Sequence, residues 1–189
     1  SGFVISNVVH SKLADKDFKI SEFYFLRFKR IVPALVSYLL FVQCLLYFNV
    51  DHQNVIQNTK TSLYSLFFLG NIHISQYQEY FNDDSSRNLV INLWSLSVEE
   101  QFYFIFPIMA ILISKFKLRK QIIIYGVVVS ASLLSMSMLV YSSSAIFEKL
   151  FLNYQNYLFY SPVSRVWEFT LGIIAMFINN KTYKSDYFI

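Results

Sequence analysis

One cysteine, Cys44, cannot close a disulfide within the chain or build a zinc site, and it lies inside an apolar run. Three histidines, His10, His52 and His73, are too scattered to form a metal cluster, so each is read as an interfacial or packing residue. Four glycines and three prolines in 189 residues leave little punctuation for loops and hairpins, which points to a mostly helical chain. Charge is scarce too: 15% of residues are Asp, Glu, Lys or Arg, against about 25% in a soluble domain. There is no repeat and no low-complexity linker. What fills the space is apolar: 55% of the chain is hydrophobic, and its aromatics include twenty Phe and fourteen Tyr. Aromatics in such numbers gather at membrane interfaces and between packed membrane helices. The class expected is an all-α, polytopic transmembrane helix bundle.

Sixteen Lys and Arg outweigh twelve Asp and Glu, a net charge of +4. An excess of this size in a membrane chain is accounted for by basic cytoplasmic loops, without a nucleic-acid partner. The chain opens "SGFVISNVV", which lacks the charged region and cleavage site of a signal peptide. It reads as the tail of a membrane helix, and the whole as an internal piece of a longer protein.

A spanning helix needs about 20 apolar residues. Runs of that order cover Ile31–Val50, Trp94–Ser114 and Gln121–Tyr141, and Val166–Ile178 reaches spanning length if its helix starts near Ser161. The third is rich in small residues suited to close helix packing. "SLYSLFFLGNI", Ser62–Ile72, is too short; it is expected to be re-entrant or interfacial, a short tilted span being the alternative. Arg27, Lys29 and Arg30 precede the first span, Lys115–Lys120 separate the second from the third, and Lys181 and Lys184 follow the fourth. Four alternating spans put all three clusters on one side, which is therefore expected to be cytoplasmic. The loops 82–88 and 142–162 then face outward.

Glu99 and Glu100 come just ahead of the apolar run from Phe102, and ionisable groups at membrane depth are costly. Adjacent helical residues face about 100° apart, so the two carboxylates cannot share one face. Ser97 and Glu100 fit a capping box at the outer helix end, which leaves Glu99 to head an inward face. Arg165 and Glu168 stand three apart at the start of the fourth span, as either a local ion pair beside Trp167 or part of a polar cluster with Glu99. The second reading makes Glu99 and Arg165 available for proton handling or anion stabilisation.

Four stretches come in a telling order: "SGFVIS" from Ser1, "FYFLRFKRIVPAL" over Phe23–Leu35, "LWSLSVEEQFY" over Leu93–Tyr103 and "SRVWEFTLG" over Ser164–Gly172. Together they resemble the acyltransferase family 3 integral membrane proteins, bacterial O-acyltransferases that modify surface polysaccharides. The resemblance spans most of the chain. It implies an enzyme of about ten membrane helices in the bacterial inner membrane. Such an enzyme takes an acyl group, usually acetyl, from cytoplasmic acyl-CoA to a glycan hydroxyl on the far side. Acceptors in the family include lipopolysaccharide O-antigen, peptidoglycan, exopolysaccharide and Nod-factor sugars, with some macrolides.

The family's central histidine belongs to a first helix that would precede Ser1, so residues 1–189 are expected to be a partial domain, lacking that helix and the C-terminal ones. By themselves they are expected to be inactive. Two departures stand out. Leu26 occupies the first of two usual arginine positions, with Arg27 in the second, and Asn92 and Leu93 replace a common His-Thr. The resemblance implies Glu99, Arg165 and Glu168 as catalytic residues, with no metal. It implies Arg27, Lys29 and Arg30 for coenzyme A phosphates, which Lys and Arg suit as charged donors; a plain positive-inside anchor is the alternative. Asn92, Trp94 and Tyr103 are implied for acceptor binding. A non-enzymatic glycan-lipid carrier or polymerase-like protein of surface-polysaccharide assembly is the competing expectation, and a decayed gene remnant a third.

Overall fold

The computed structural model describes residues 1–15, 18–48, 52–77, 88–141 and 154–181. Among these residues there are eight helices and no strand. They are α1 (Gly2–Ala14), α2 (Ile20–Tyr47), α3 (His52–Leu66), α4 (Gly70–Tyr77), α5 (Leu93–Ser114), α6 (Leu118–Tyr141), α7 (Tyr154–Tyr160) and α8 (Val166–Lys181). Three of them are long and apolar enough to cross a membrane: Ile20–Tyr47, Leu93–Ser114 and Leu118–Ser137. The protein is an all-α membrane helix bundle.

Two boundaries differ from expectation. α2 begins at Ile20 rather than Ile31, so Arg27, Lys29 and Arg30 lie within the helix instead of ahead of it. Hydropathy falls at the basic cluster, but nothing in "SEFYFLRFKR" breaks a helix, and Glu22 in the first turn suits its dipole. Its 28 residues make a rod of about 42 Å, longer than the ~30 Å hydrocarbon core. The fourth apolar helix starts at Val166 and does not reach back to Ser161; its 16 residues extend only about 24 Å. Pro162 disfavours helix for the residue before it, and residues 163–165 form a turn. Three helices of spanning length plus a shorter one therefore replace the four complete spans expected. The outward loops assigned to 82–88 and 142–162 fall largely outside the described residues.

The chain divides into two compact units. One comprises Ser1–Ser21, Phe102–Tyr141 and Val163–Ile189, the other Glu22–Gln101 and Ser142–Pro162. α5 gives its first nine residues to the second unit and the rest to the first.

In the first unit α8 packs on both α1 and α6. The approach to α1 is backbone to backbone: a Cβ on Gly172 would lie 2.7 Å from the Phe3 nitrogen and 3.1 Å from the Gly2 carbonyl carbon. A Cβ on Gly2 would strike the Phe169 carbonyl oxygen. Two of the four motif stretches thus meet through residues chosen for having no side chain. His10 fills the same core, its ring 4.8 Å edge-on from Phe177 and 6.4 Å from Phe106, as a packing residue. Phe102 stacks between Phe106 and Phe169 at 5.5 and 4.5 Å.

In the second unit a cluster of Leu35, Leu39, Val42, Leu46 and Val90 is joined by Val55, Phe68, Leu93 and Leu96. The Tyr38 hydroxyl donates to the Leu89 carbonyl at 2.7 Å, which together with the contacts at Glu100 sets α2 antiparallel to the start of α5. The short run Ser62–Ile72 is no single helix. α3 ends in a Schellman arrangement, with the Phe68 and Leu69 N–H groups donating to the Ser65 and Tyr64 carbonyls at 3.0 and 2.9 Å. Phe68 takes the left-handed position (φ 56°) that glycine usually holds. α4 then folds back, so that His73 stacks on Tyr64 with ring centroids 4.5 Å apart.

Candidate functional site

The acids that open the membrane run are the centre of the second unit's polar contacts. α5 starts at Leu93, so Glu99 and Glu100 lie in its second turn, not at its cap. Helix entry is handled upstream: the Asn88 side chain accepts the Val90 N–H at 3.1 Å, and Asn58 accepts that of Leu89 at 2.8 Å. The Ser97 hydroxyl donates to the Leu93 carbonyl at 3.0 Å. The capping box expected of Ser97 and Glu100 is not formed.

Glu100 instead holds Arg27. The guanidinium donates through Nη2 to Oε1 at 2.7 Å and through Nε to both carboxylate oxygens at 3.1 and 3.0 Å. Side-chain exposure is 20% for Arg27 and 11% for Glu100, so the pair is mostly withdrawn from solvent. This two-pronged geometry favours arginine over lysine. It also corrects the placement of the basic trio and the acids at opposite membrane faces, because Arg27 and Glu100 occupy one depth. Fourteen residues of α5, about 21 Å of helix, separate Glu100 from the basic turn that begins at Lys115. A carboxylate this far along a membrane helix is tolerable when a cation neutralises it. Lys29 and Arg30, on the same helix as Arg27, are exposed.

The next residue makes a second grip. Gln101 Nε2 donates to the Phe68 carbonyl at 2.7 Å and to Asn71 Oδ1 at 2.9 Å, and Asn71 Nδ2 donates to the Tyr160 carbonyl at 3.1 Å. Gln101 and Asn71 escaped sequence reasoning because a lone amide carries no chemistry by itself. Their signal was position, one directly after the acids and one beside Gly70 in a short apolar run. Gly70 lets the two helices meet closely: a Cβ there would force the Ser65 hydroxyl to rotate away and would come within 3.2 Å of that of Ser97.

The remaining candidates are distributed as follows. Glu99 is half-buried in the second unit. Trp94 is buried against Phe159 and Tyr160, at centroid distances of 5.1 and 5.2 Å, and Asn92 is exposed just before α5. Tyr103 is buried in the first unit, its ring edge-on to Phe102 at 5.8 Å. Arg165 and Glu168, also in the first unit, form an i,i+3 pair at 3.6 Å, with Glu168 46% exposed. A carboxylate in the first turn of α8 is favoured by the helix dipole, so the local ion-pair reading has its geometry. Among the described residues no group of His, Cys, Asp and Glu side chains could hold a metal ion.

The chain matches the acyltransferase domain family over residues 1–186. An uncharacterized protein of Haemophilus influenzae is 30% identical over 97% of this chain and 74% of its own length. Peptidoglycan O-acetyltransferase OatA of Listeria monocytogenes is 28% identical over 71% of the chain, and O-acetyltransferase OatA of Staphylococcus aureus 33% over 65%. The matched regions are 22% and 20% of those two proteins, so the chain spans about a fifth of their length. No solved structure matches it. With the four motif stretches in order and nearly every residue covered, the chain belongs to the acyltransferase 3 family of integral membrane proteins.

Proposed function

We propose that the protein carrying this chain is a membrane O-acyltransferase, moving an acyl group, acetyl first of all, from cytoplasmic acyl-CoA to a hydroxyl of a cell-surface glycan. The observation that carries this reading is the family match across residues 1–186, which includes the basic stretch of α2 and the acidic stretch of α5. The name of the Listeria relative supports peptidoglycan as one acceptor class, and lipopolysaccharide O-antigen or another polysaccharide is the other. The bacterial inner membrane is the proposed location, and the bilayer, acyl-CoA and a polymeric or lipid-linked glycan are the proposed partners.

Transfer forms an ester C–O bond as the thioester C–S bond breaks. The acceptor's hydroxyl proton passes to a base and on to the departing thiolate, so coenzyme A leaves as the thiol. Lys29 and Arg30 are assigned to the donor's phosphates, which must enter to the depth of Glu100, where Arg27 is ordered beside them. Glu99 is assigned to orienting or deprotonating the acceptor hydroxyl, and Arg165 with Glu168 to anion stabilisation. Asn92 is the exposed hydrogen-bonding residue offered to a sugar, while Trp94 and Tyr103 support from buried positions.

The test uses membranes from cells making the full-length protein, supplied with radiolabelled acetyl-CoA, with label in the glycan and protein abundance read together. Glu99→Gln is expected to abolish labelling at near-normal abundance. A Lys29→Ala/Arg30→Ala double variant is expected to raise KM for acetyl-CoA about tenfold or more, as loss of two charged donors would. Label that appears in glycan equally with and without the protein would end the acyltransferase reading in favour of a carrier.

A further inference from the structure

α3 is amphipathic the wrong way round. Asn58, Thr61, Ser62 and Ser65 recur at helical spacing on its buried side, exposed by only 1, 2, 5 and 1%. Its outward side carries Ile56, Leu63 and Tyr64, exposed by 53, 57 and 45%, and Phe67 follows at 71%. Gln57 and Lys60 are exposed among them; a lysine stem lies along apolar chains while its ammonium reaches the headgroups. A helix lying in water would turn these faces over. Apart from the Ser65 hydroxyl, which is buried without a hydrogen bond, the inward hydroxyls and amides satisfy one another or the backbone. Gln43 of α2 donates to Ser62 at 3.1 Å and accepts from Thr59 at 3.1 Å, while Thr61 and Ser62 donate to the Gln57 and Asn58 carbonyls at 2.9 and 2.8 Å. Such internal satisfaction is what a low-dielectric surrounding demands. The apolar side continues past the Phe68 turn through Leu69 and Ile72, exposed by 40 and 42%. In the same unit α2 bares Leu40, Phe41 and Leu45, so the apolar surface is not confined to one short segment.

The fold-back at Phe68 adds direction. His73 over Tyr64 requires α4 to return along α3, and Gln101 grips the turn by its Phe68 carbonyl. A non-helical turn at membrane depth is stable only where protein satisfies its backbone. Here it does.

We propose that α3 and α4 form a re-entrant hairpin whose Ile56, Leu63 and Phe67 side lies against lipid acyl chains, its polar side facing α2 and α5. The proposal rests on the membrane reading of the chain and extends it to a segment below spanning length.

The test is cysteine scanning in the full-length protein with Cys44→Ser, reconstituted into phosphatidylcholine–phosphatidylglycerol vesicles. Spin labels at Leu63→Cys and Phe67→Cys, both exposed, are expected to relax with oxygen and not with a water-soluble nickel chelate. Relaxation by the chelate puts this side in water, and protection from both agents puts another protein segment over it. Either result overturns the proposal. Leu134→Cys on α6 is the lipid reference; if it too meets the chelate, the membrane reading fails rather than the hairpin. Gln57→Cys, in the second turn of α3, and Gln76→Cys, next to last in α4, are both exposed and are expected to react with a charged maleimide from the same side of sealed vesicles. Labelling from opposite sides makes the segment a broken span and sinks the hairpin.

Discussion

At the scale of single residues, Arg27 and Glu100 explain why two acids stand at the head of an apolar run. One of them neutralises a cation from another helix, and its neighbour Glu99 is half-buried. Removing one partner strands a charge, so Glu100→Gln is expected to cost about 3 kcal/mol, read as lower membrane abundance and a lower Tm in detergent. The double replacement Arg27→Met/Glu100→Leu is expected to restore most of that stability while leaving acyl transfer lost, because a well-packed apolar pair replaces a withdrawn ion pair at little cost. A double variant as unstable as Glu100→Gln would show that the pair itself stabilises the fold. The sequence shows both residues but not their pairing. They are far apart in the chain, and the capping pattern at Ser97 offered Glu100 a nearer role that Leu93 pre-empts by starting the helix a turn earlier.

At the scale of elements, α5 was legible almost to the residue and α6 to within a turn, because charged or polar residues bracket each apolar run. α2 was not, since its basic cluster looks like a boundary by hydropathy yet is good helix-forming sequence. The break inside Ser62–Ile72 was hidden for a different reason: the left-handed residue is Phe68, not a glycine. That ring is kept by its contact with the Leu35–Leu39 cluster, so Phe68→Ala is expected to lose about 2 kcal/mol or more while retaining the backbone strain. Gln101→Leu leaves the Phe68 carbonyl and the Asn71 amide without this partner and is expected to cost about 1–3 kcal/mol, measurable by thermal denaturation. Gly172→Ala must push α8 from α1 by several tenths of an ångström. An expected loss of about 1–3 kcal/mol follows, and a Tm equal to that of the parent would refute the backbone contact.

For the whole chain, composition was enough to name a helical membrane protein, and the order of four motif stretches was enough to name its family. The short basic turn between α5 and α6 carries Lys115, Lys117, Arg119 and Lys120, all exposed. A reporter enzyme fused after Lys120 is therefore expected to be active in the cytoplasm, and one inserted within 82–88 to be active outside. Both reporting one compartment would mean that an even number of crossings lies between them. What composition could not convey is how tightly distant segments are indexed to each other. Glu100 fixes Arg27 and Gln101 fixes Phe68, so the positions of α2 and of the α3–α4 turn are referred to a single peptide bond. Inserting one residue there would rotate one grip about 100° from the other and shift it about 1.5 Å along the axis. No turn of α5 could then satisfy both, and any motion of α2 along α5 must carry the turn at Phe68 with it or let go.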